Sequence, residues 1–149
     1  MATWPEVVNY LTNLSETEKF FEVNQISPDF LLVIRATQFA LDFDPDTGLT
    51  PKNRYQQIFV SGLALDDPDM AMVRFASPFA KKEQLSHQGL LDCMGNHLML
   101  GYGIVGDYYA LINNAPLENL DQNEILWNVG CLSAIADQLE QELNLGDHL

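Results

Sequence analysis

His87, Asp92, Cys93 and His97 lie close together in the chain and offer imidazole, carboxylate and thiol, all competent zinc ligands. Their spacing argues against a shared metal. On a helix over 85–95, His87 and Asp92 are about 500° of rotation apart and miss the common face that a three- or four-residue spacing provides. Cys93 and His97 can also be drawn as nucleophile and base, because a nearby imidazole lowers the pKa of a thiol. No oxyanion-stabilising motif accompanies them, which favours a buried cysteine and a strand histidine.

Two further patterns resemble sites without completing them. Asp42, Asp44 and Asp46 have the alternation that opens a calcium loop, but Thr47 stands where glycine is required and Asn53 where a bidentate glutamate is required. A proline-containing turn explains the same residues. Gly101-Tyr102-Gly103-Ile104-Val105-Gly106 has the letters of a dinucleotide loop, yet Asp107-Tyr108-Tyr109-Ala110-Leu111-Ile112 follows as a strand, so no helix N-terminus is there to meet a pyrophosphate. No serine sits in a nucleophile elbow and there is no phosphate loop. The expectation is therefore no catalytic residue, no cofactor and no metal.

The chain has 149 residues, 47% of them apolar, which suits a single domain over 1–149 with its own core. Its formal charge of −14, from 21 acidic and 7 basic side chains, repels phosphate backbones and anionic lipid, so neither nucleic acid nor membrane surface is expected as a partner. The same charge suits a cationic protein, although it also serves simply as a solvated exterior. No basic-then-apolar leader opens the chain, and no run reaches the roughly 20 apolar residues of a membrane span, so a cytoplasmic protein is expected. Cys93 and Cys131 read as reduced core thiols.

The elements follow from periodicity. Thr3 and Glu6 form a capping box for a helix over about 4–14, with Trp4, Val7, Val8, Leu11 and Leu14 on its apolar face. An apolar segment runs from Phe20 to Ile26, and Ser27-Pro28-Asp29 breaks it. Phe30 to Phe43 reads as one long strand or two short ones, Tyr55 to Leu65 as the next, and Met70 to Phe75 as another, with acidic turns at 44–48 and 66–69. Leu85, Leu90, Leu91 and Met94 suit a short helix that Gly89 weakens by about 1 kcal/mol, so packing must hold it. Leu98 to Ile104 and Tyr108 to Ile112 form a hairpin around Gly106-Asp107.

The last third is the most strongly patterned part. From its Asp121 cap, Ile125, Val129, Leu132, Ala136, Leu139 and Leu143 make one apolar stripe, with Asp137, Gln138, Glu140 and Gln141 placed on the other side. The whole predicts an α+β domain, an antiparallel sheet with helices on one face in the order α-β-β-β-α-β-β-α.

That order, together with Asn96-His97-Leu98-Met99-Leu100-Gly101-Tyr102-Gly103, the hairpin to Tyr109-Ala110-Leu111, the segment Ala115-Pro116-Leu117-Glu118-Asn119-Leu120 and the closing Ile135-Ala136-Asp137-Gln138-Leu139-Glu140, resembles the type III secretion chaperone-like fold, including its YbjN-like branch. Small acidic cyanobacterial proteins of unknown function are similar as well. The resemblance spans nearly the whole chain and rests on apolar positions and turns. It implies a homodimer that holds an unidentified polypeptide along apolar surface and performs no chemistry. Together with the weak-helix argument it places self-association at Leu90, Leu91 and Met94. Tyr108 and Tyr109, adjacent on a strand, must point to opposite faces, Trp127 sits off the main stripe of its helix, and Trp4 opens the first helix; these four are the candidate partner-binding surface. The alternative is a small-molecule-binding or enzymatic protein with a pocket between the sheet and the C-terminal helix.

Overall fold

The computed structural model describes residues 3–18, 21–44, 48–94 and 101–143, and for 37–44, 48–53 and 93–94 it describes the backbone alone. Helix α1 (Trp4–Thr17) begins as its sequence requires: Thr3 Oγ1 accepts from the Glu6 N–H at 3.4 Å while Glu6 Oε2 accepts from the Thr3 N–H at 2.6 Å. It continues past the expected end at Leu14. Strands β1 (Phe21–Ser27), β2 (Phe30–Asp44), β3 (Gly48–Leu63) and β4 (Met72–Lys81) follow, then a 3-10 turn at Lys82–Gln84 and helix α2 (His87–Met94). Strands β5 (Gly101–Val105) and β6 (Tyr108–Pro116) and helix α3 (Gln122–Glu142) complete the fold.

All six strands form one antiparallel sheet in the order β1-β2-β3-β4-β6-β5. The protein is thus α+β, but four strands precede α2 where three were expected. The additional one is β1, from the segment at 20–26, of which Phe20 lies outside the described residues. Ser27-Pro28-Asp29 does not merely end that segment; it is the turn of a β1–β2 hairpin, with the Ser27 hydroxyl donating to Asp29 Oδ1 at 2.8 Å and Ser27 paired with Phe30.

Residues 30–44 form one long strand, bulged between Ala36 and Gln38, whose pairing with β3 runs from Phe30–Ser61 to Asp44–Gly48. Beyond Arg35 on one side and Phe59 on the other, β2 and β3 pair only with each other among the described residues. In β4 the register shifts between Pro78 and Ala80. Proline has no N–H to give the ladder, and the irregularity lets Phe79 and Ala80 both reach the core.

Leu31 and Val33 pair across the sheet with Val60 and Ile58, and with Val73, Phe75 and Leu111 they form the apolar floor. Onto it α1 sets Val7 and Leu11, and α3 sets Ile125, Val129, Leu132, Ala136 and Leu139. At about 1.5–3 kcal/mol for each fully buried large aliphatic side chain, this stripe is the main force seating α3. Leu90 of α2 joins the same cluster. Gly89 lies in the first turn of α2, where its N–H donates to the Ser86 hydroxyl at 3.0 Å; a Cβ there would come within 2.8 Å of Leu85 Cδ1. Its absence of side chain is thus used for packing, at a position less costly than the helix middle.

One reading of α3 is corrected. Gln138 and Gln141 face solvent as expected, but Asp137 and Glu140 are buried. Both lie within reach of Arg54 from β3, a cation whose pairing no helical periodicity can reveal.

The cap of α3 has the same reciprocal form as that of α1, Asp121 Oδ1 accepting from the Glu124 N–H at 2.8 Å and Glu124 Oε2 from the Asp121 N–H at 3.1 Å. Asp121→Ala is expected to lower unfolding free energy by about 1 kcal/mol in urea denaturation, with the denaturant slope unchanged.

Candidate binding site at the start of the last helix

The corner where β6 passes into α3 is built by short-range bonds. The Leu117 N–H donates to Ala71 O at 3.0 Å, tying the end of β6 to the turn between β3 and β4, and the Leu120 N–H donates to Leu117 O at 3.2 Å. Within the 64–71 turn, Asp67 O accepts from the N–H groups of Met70 and Ala71 at 3.0 and 2.9 Å, while Asp67 Oδ1 accepts from the Asp69 N–H at 3.1 Å. Ala64 holds a left-handed backbone with φ 51°, a conformation that costs a non-glycine residue roughly 1 kcal/mol and needs its surroundings to enforce it. The Leu65 side chain lies back over Gly62, where a Cβ would approach Leu65 Cδ1 to 2.7 Å. Beside it, the Trp4 indole N–H donates to Pro28 O at 2.7 Å.

Three open clefts meet this corner. The first, about 480 Å³, lies between the start of α1 and the 65–71 turn and is lined by Trp4, Pro5, Leu65, Pro68, Ala71 and Leu117, with Asp69 and Glu118. A second, about 410 Å³, runs between α1 and the start of α3 past Tyr10, Leu120 and Ile125, with Glu6 and Asp121. Burial raises the Tyr10 phenol above its ordinary pKa. The third, about 450 Å³, is bounded by Asn113, Trp127 and Asn128 with Asp121 and Glu124. Every cleft carries two carboxylates and no lysine or arginine, so the acidic field of the chain is concentrated over apolar surface here.

The expected surface aromatics divide. Trp127 is 49% exposed and edges the third cleft. Trp4 is only 8% exposed; most of its ring is core and one edge lines the first cleft, so it is no free-standing anchor. Tyr109 is buried against the helices, and its neighbour Tyr108 points to the opposite side of the sheet, half-buried. Of the self-association residues, Leu90 is taken up by the protein's own core and Leu91 is 52% exposed. The Met94 side chain lies outside the described residues.

The chemical candidates resolve similarly. The His87 ring meets Tyr109 edge-on, with centroids 6.4 Å apart, an aromatic contact at the core margin. His97 and the side chains of Cys93, Asp42, Asp44 and Asp46 lie outside the described residues. Among the described residues no group of three His, Cys, Asp or Glu side chains is placed to hold a metal. Gly101–Gly106 opens a hairpin, Gly106 taking φ 59° in the turn into β6, so the dinucleotide geometry is absent there. No helix among the described residues is long and apolar enough to cross a membrane.

Between the sheet and α3, where a ligand pocket was the alternative expectation, a polar seam of side chains flanks the apolar stripe. Arg35 Nη1 donates to the Ser133 hydroxyl at 3.2 Å. Arg54 Nε donates to Asp137 Oδ1 at 2.8 Å, and its Nη2 lies 3.6 Å from Glu140 Oε2. Gln141 supplies Asp137 Oδ2 with a further bond at 2.8 Å, and the buried Gln56 amide donates to Pro78 O. Sequence reading missed this seam because its partners are 83 or more positions apart for Arg54–Asp137 and Arg35–Ser133. It also treated Asp69 and Glu118 as turn and connection only.

The chain matches no protein-family model and no curated protein.

Removing one partner of a buried ion pair leaves charge without compensation. Arg54→Leu is expected to destabilise the protein by about 3 kcal/mol, whereas Arg74→Leu, which loses a bond from an exposed site to Asn114, is expected to cost under about 1 kcal/mol; paired urea titrations check the difference.

Proposed function

We propose that the protein is a homodimeric polypeptide-binding module, chaperone- or adaptor-like, that works without catalysis. The observation that carries this reading is the edge at β5, unguarded among the described residues. Sheets ordinarily protect their outer strands with charge, proline or bulges. β5 has none of these: Gly101-Tyr102-Gly103-Ile104-Val105 is uncharged and pairs in unbroken register with β6. Tyr102 and Ile104 lie opposite Leu111 and Tyr109, hence on the side that bears the helices, yet are 44% and 56% exposed.

The strand is self-complementary. A two-fold axis through Gly103 sets Tyr102 of one copy opposite Ile104 of the other, twice, giving two aromatic–β-branched cross-strand pairs. Self-repulsion of a chain with charge −14 is weakest at a strand without charge. Leu91 on the preceding helix is a further exposed apolar side chain. In this arrangement the acid-edged clefts at the start of α3 remain available to a polypeptide partner. The resemblance to the type III secretion chaperone-like fold and its YbjN-like branch supports the same reading, and the abundance of acidic over basic side chains suits a cytoplasmic protein with a cationic client.

Light scattering coupled to size exclusion tests the dimer. The unaltered protein is expected at twice its 16.8 kDa chain mass, and Ile104→Lys and Tyr102→Lys are each expected to elute as folded monomers. A dimeric mass in both variants, with native circular dichroism, contradicts the β5 contact.

A further inference from the structure

We propose that the cleft formed by Trp4, Leu65, Ala71 and Leu117 receives an apolar side chain of a partner polypeptide that carries lysine or arginine beside it. The inference rests on the polypeptide-binding reading and adds where the partner docks and what chemistry it presents.

The floor is apolar and pre-set. Trp4 is fixed through its indole bond to Pro28 O, Ala71 and Leu117 are tied to each other through the backbone, and Leu65 follows the left-handed Ala64. Groups held in this way lose little conformational freedom on binding. The volume of about 480 Å³ falls in the range of recognition sites, but the cleft is open along its length, which suits a side chain presented on a polypeptide better than a metabolite that must be enclosed. Met70, exposed on the same turn, adds an adaptable apolar contact.

Charge selects the occupant. Asp69 and Glu118 line the cleft and Asp66 is exposed in the adjoining turn. Among the described residues, none of these three carboxylates is in an ion pair, and no basic residue lines the cleft. An anionic ligand meets repulsion at such a rim, and a neutral one gains nothing from it. A segment with apolar and cationic residues side by side satisfies floor and rim together, and the negative field draws it in.

The test uses two short synthetic peptides, one of leucine and lysine and the other with glutamate at every lysine position, followed through the indole N–H signals of Trp4 and Trp127 in two-dimensional NMR. The lysine peptide is expected to shift the Trp4 signal saturably and the glutamate peptide to leave it unmoved. Asp69→Asn with Glu118→Gln, both at exposed positions, is expected to weaken binding about tenfold, the order for two partly exposed ion pairs. The same charge change made elsewhere, Glu83→Gln with Asp92→Asn, is expected to leave it unaltered. Equal binding of the glutamate peptide, an unmoved Trp4 signal, or equal loss in the two double variants overturns the assignment. The polypeptide-binding reading fails separately: a partner recovered as well by the Asp69→Asn, Glu118→Gln protein as by the unaltered one removes the cleft and keeps the reading, whereas recovery of no polypeptide by either removes both.

Discussion

The packing of α3 on the sheet is the contact on which the rest depends. Its apolar stripe covers the inner residues of β3, β4 and β6, and its flank carries Asp137 and Glu140 down to Arg54. Hydrophobic burial supplies most of the driving force but is nearly indifferent to small rotations of a helix about its axis. The buried carboxylates are not indifferent, because each must keep a cation or donor within bonding distance. The apolar stripe therefore holds the helix to the sheet, and Arg54 and Arg35 set its rotation. That rotation fixes where Asp121, Glu124 and Trp127 stand, and so the shape of the clefts at the helix start.

The seating of α3 also explains why the proposed binding surface is concentrated at two places. α3 packs on the central strands, and the edge strand β5 is left with Tyr102 and Ile104 uncovered. At the other limit of its reach, the start of α3 borders α1 across one open cleft, and the connection before it borders the 65–71 turn and the start of α1 across another. The surrounding acids are side chains that cap helices and close turns: Asp121 and Glu124 form one cap, Glu6 another, and Asp67 organises the turn that contains Asp69. At the second and third clefts, stabilising local structure and concentrating negative charge are thus done by the same residues.

Much of this architecture could be read from residue patterns. The two capping boxes, the α3 stripe and the hairpin around Gly106 are local, with partners three or four positions apart or in adjacent strands, and each appears where its residues indicate. What escaped were relations between distant positions. Glu140 looks like any solvated helical glutamate until β3 brings Arg54 beneath it. Trp4 and Tyr109 are aromatic residues at the edges of elements, and whether such a ring is anchor or core depends on the layer above, which periodicity does not specify. β1 was obscured for another reason: Phe21, Val23 and Ile26 make its segment apolar without a sustained alternation, Asn24 and Gln25 interrupting it, and its strand character comes from pairing with β2. The clefts were illegible because each joins residues of at least two separate elements.

The central claim is that this chain works as a pair and holds another polypeptide. Native mass spectrometry of the tagged protein, gently isolated from its own host, tests that claim most directly. Two copies of the chain with a stoichiometric polypeptide rich in lysine and arginine is the predicted result. A single copy carrying a bound metabolite, with no second chain and no polypeptide, would contradict it.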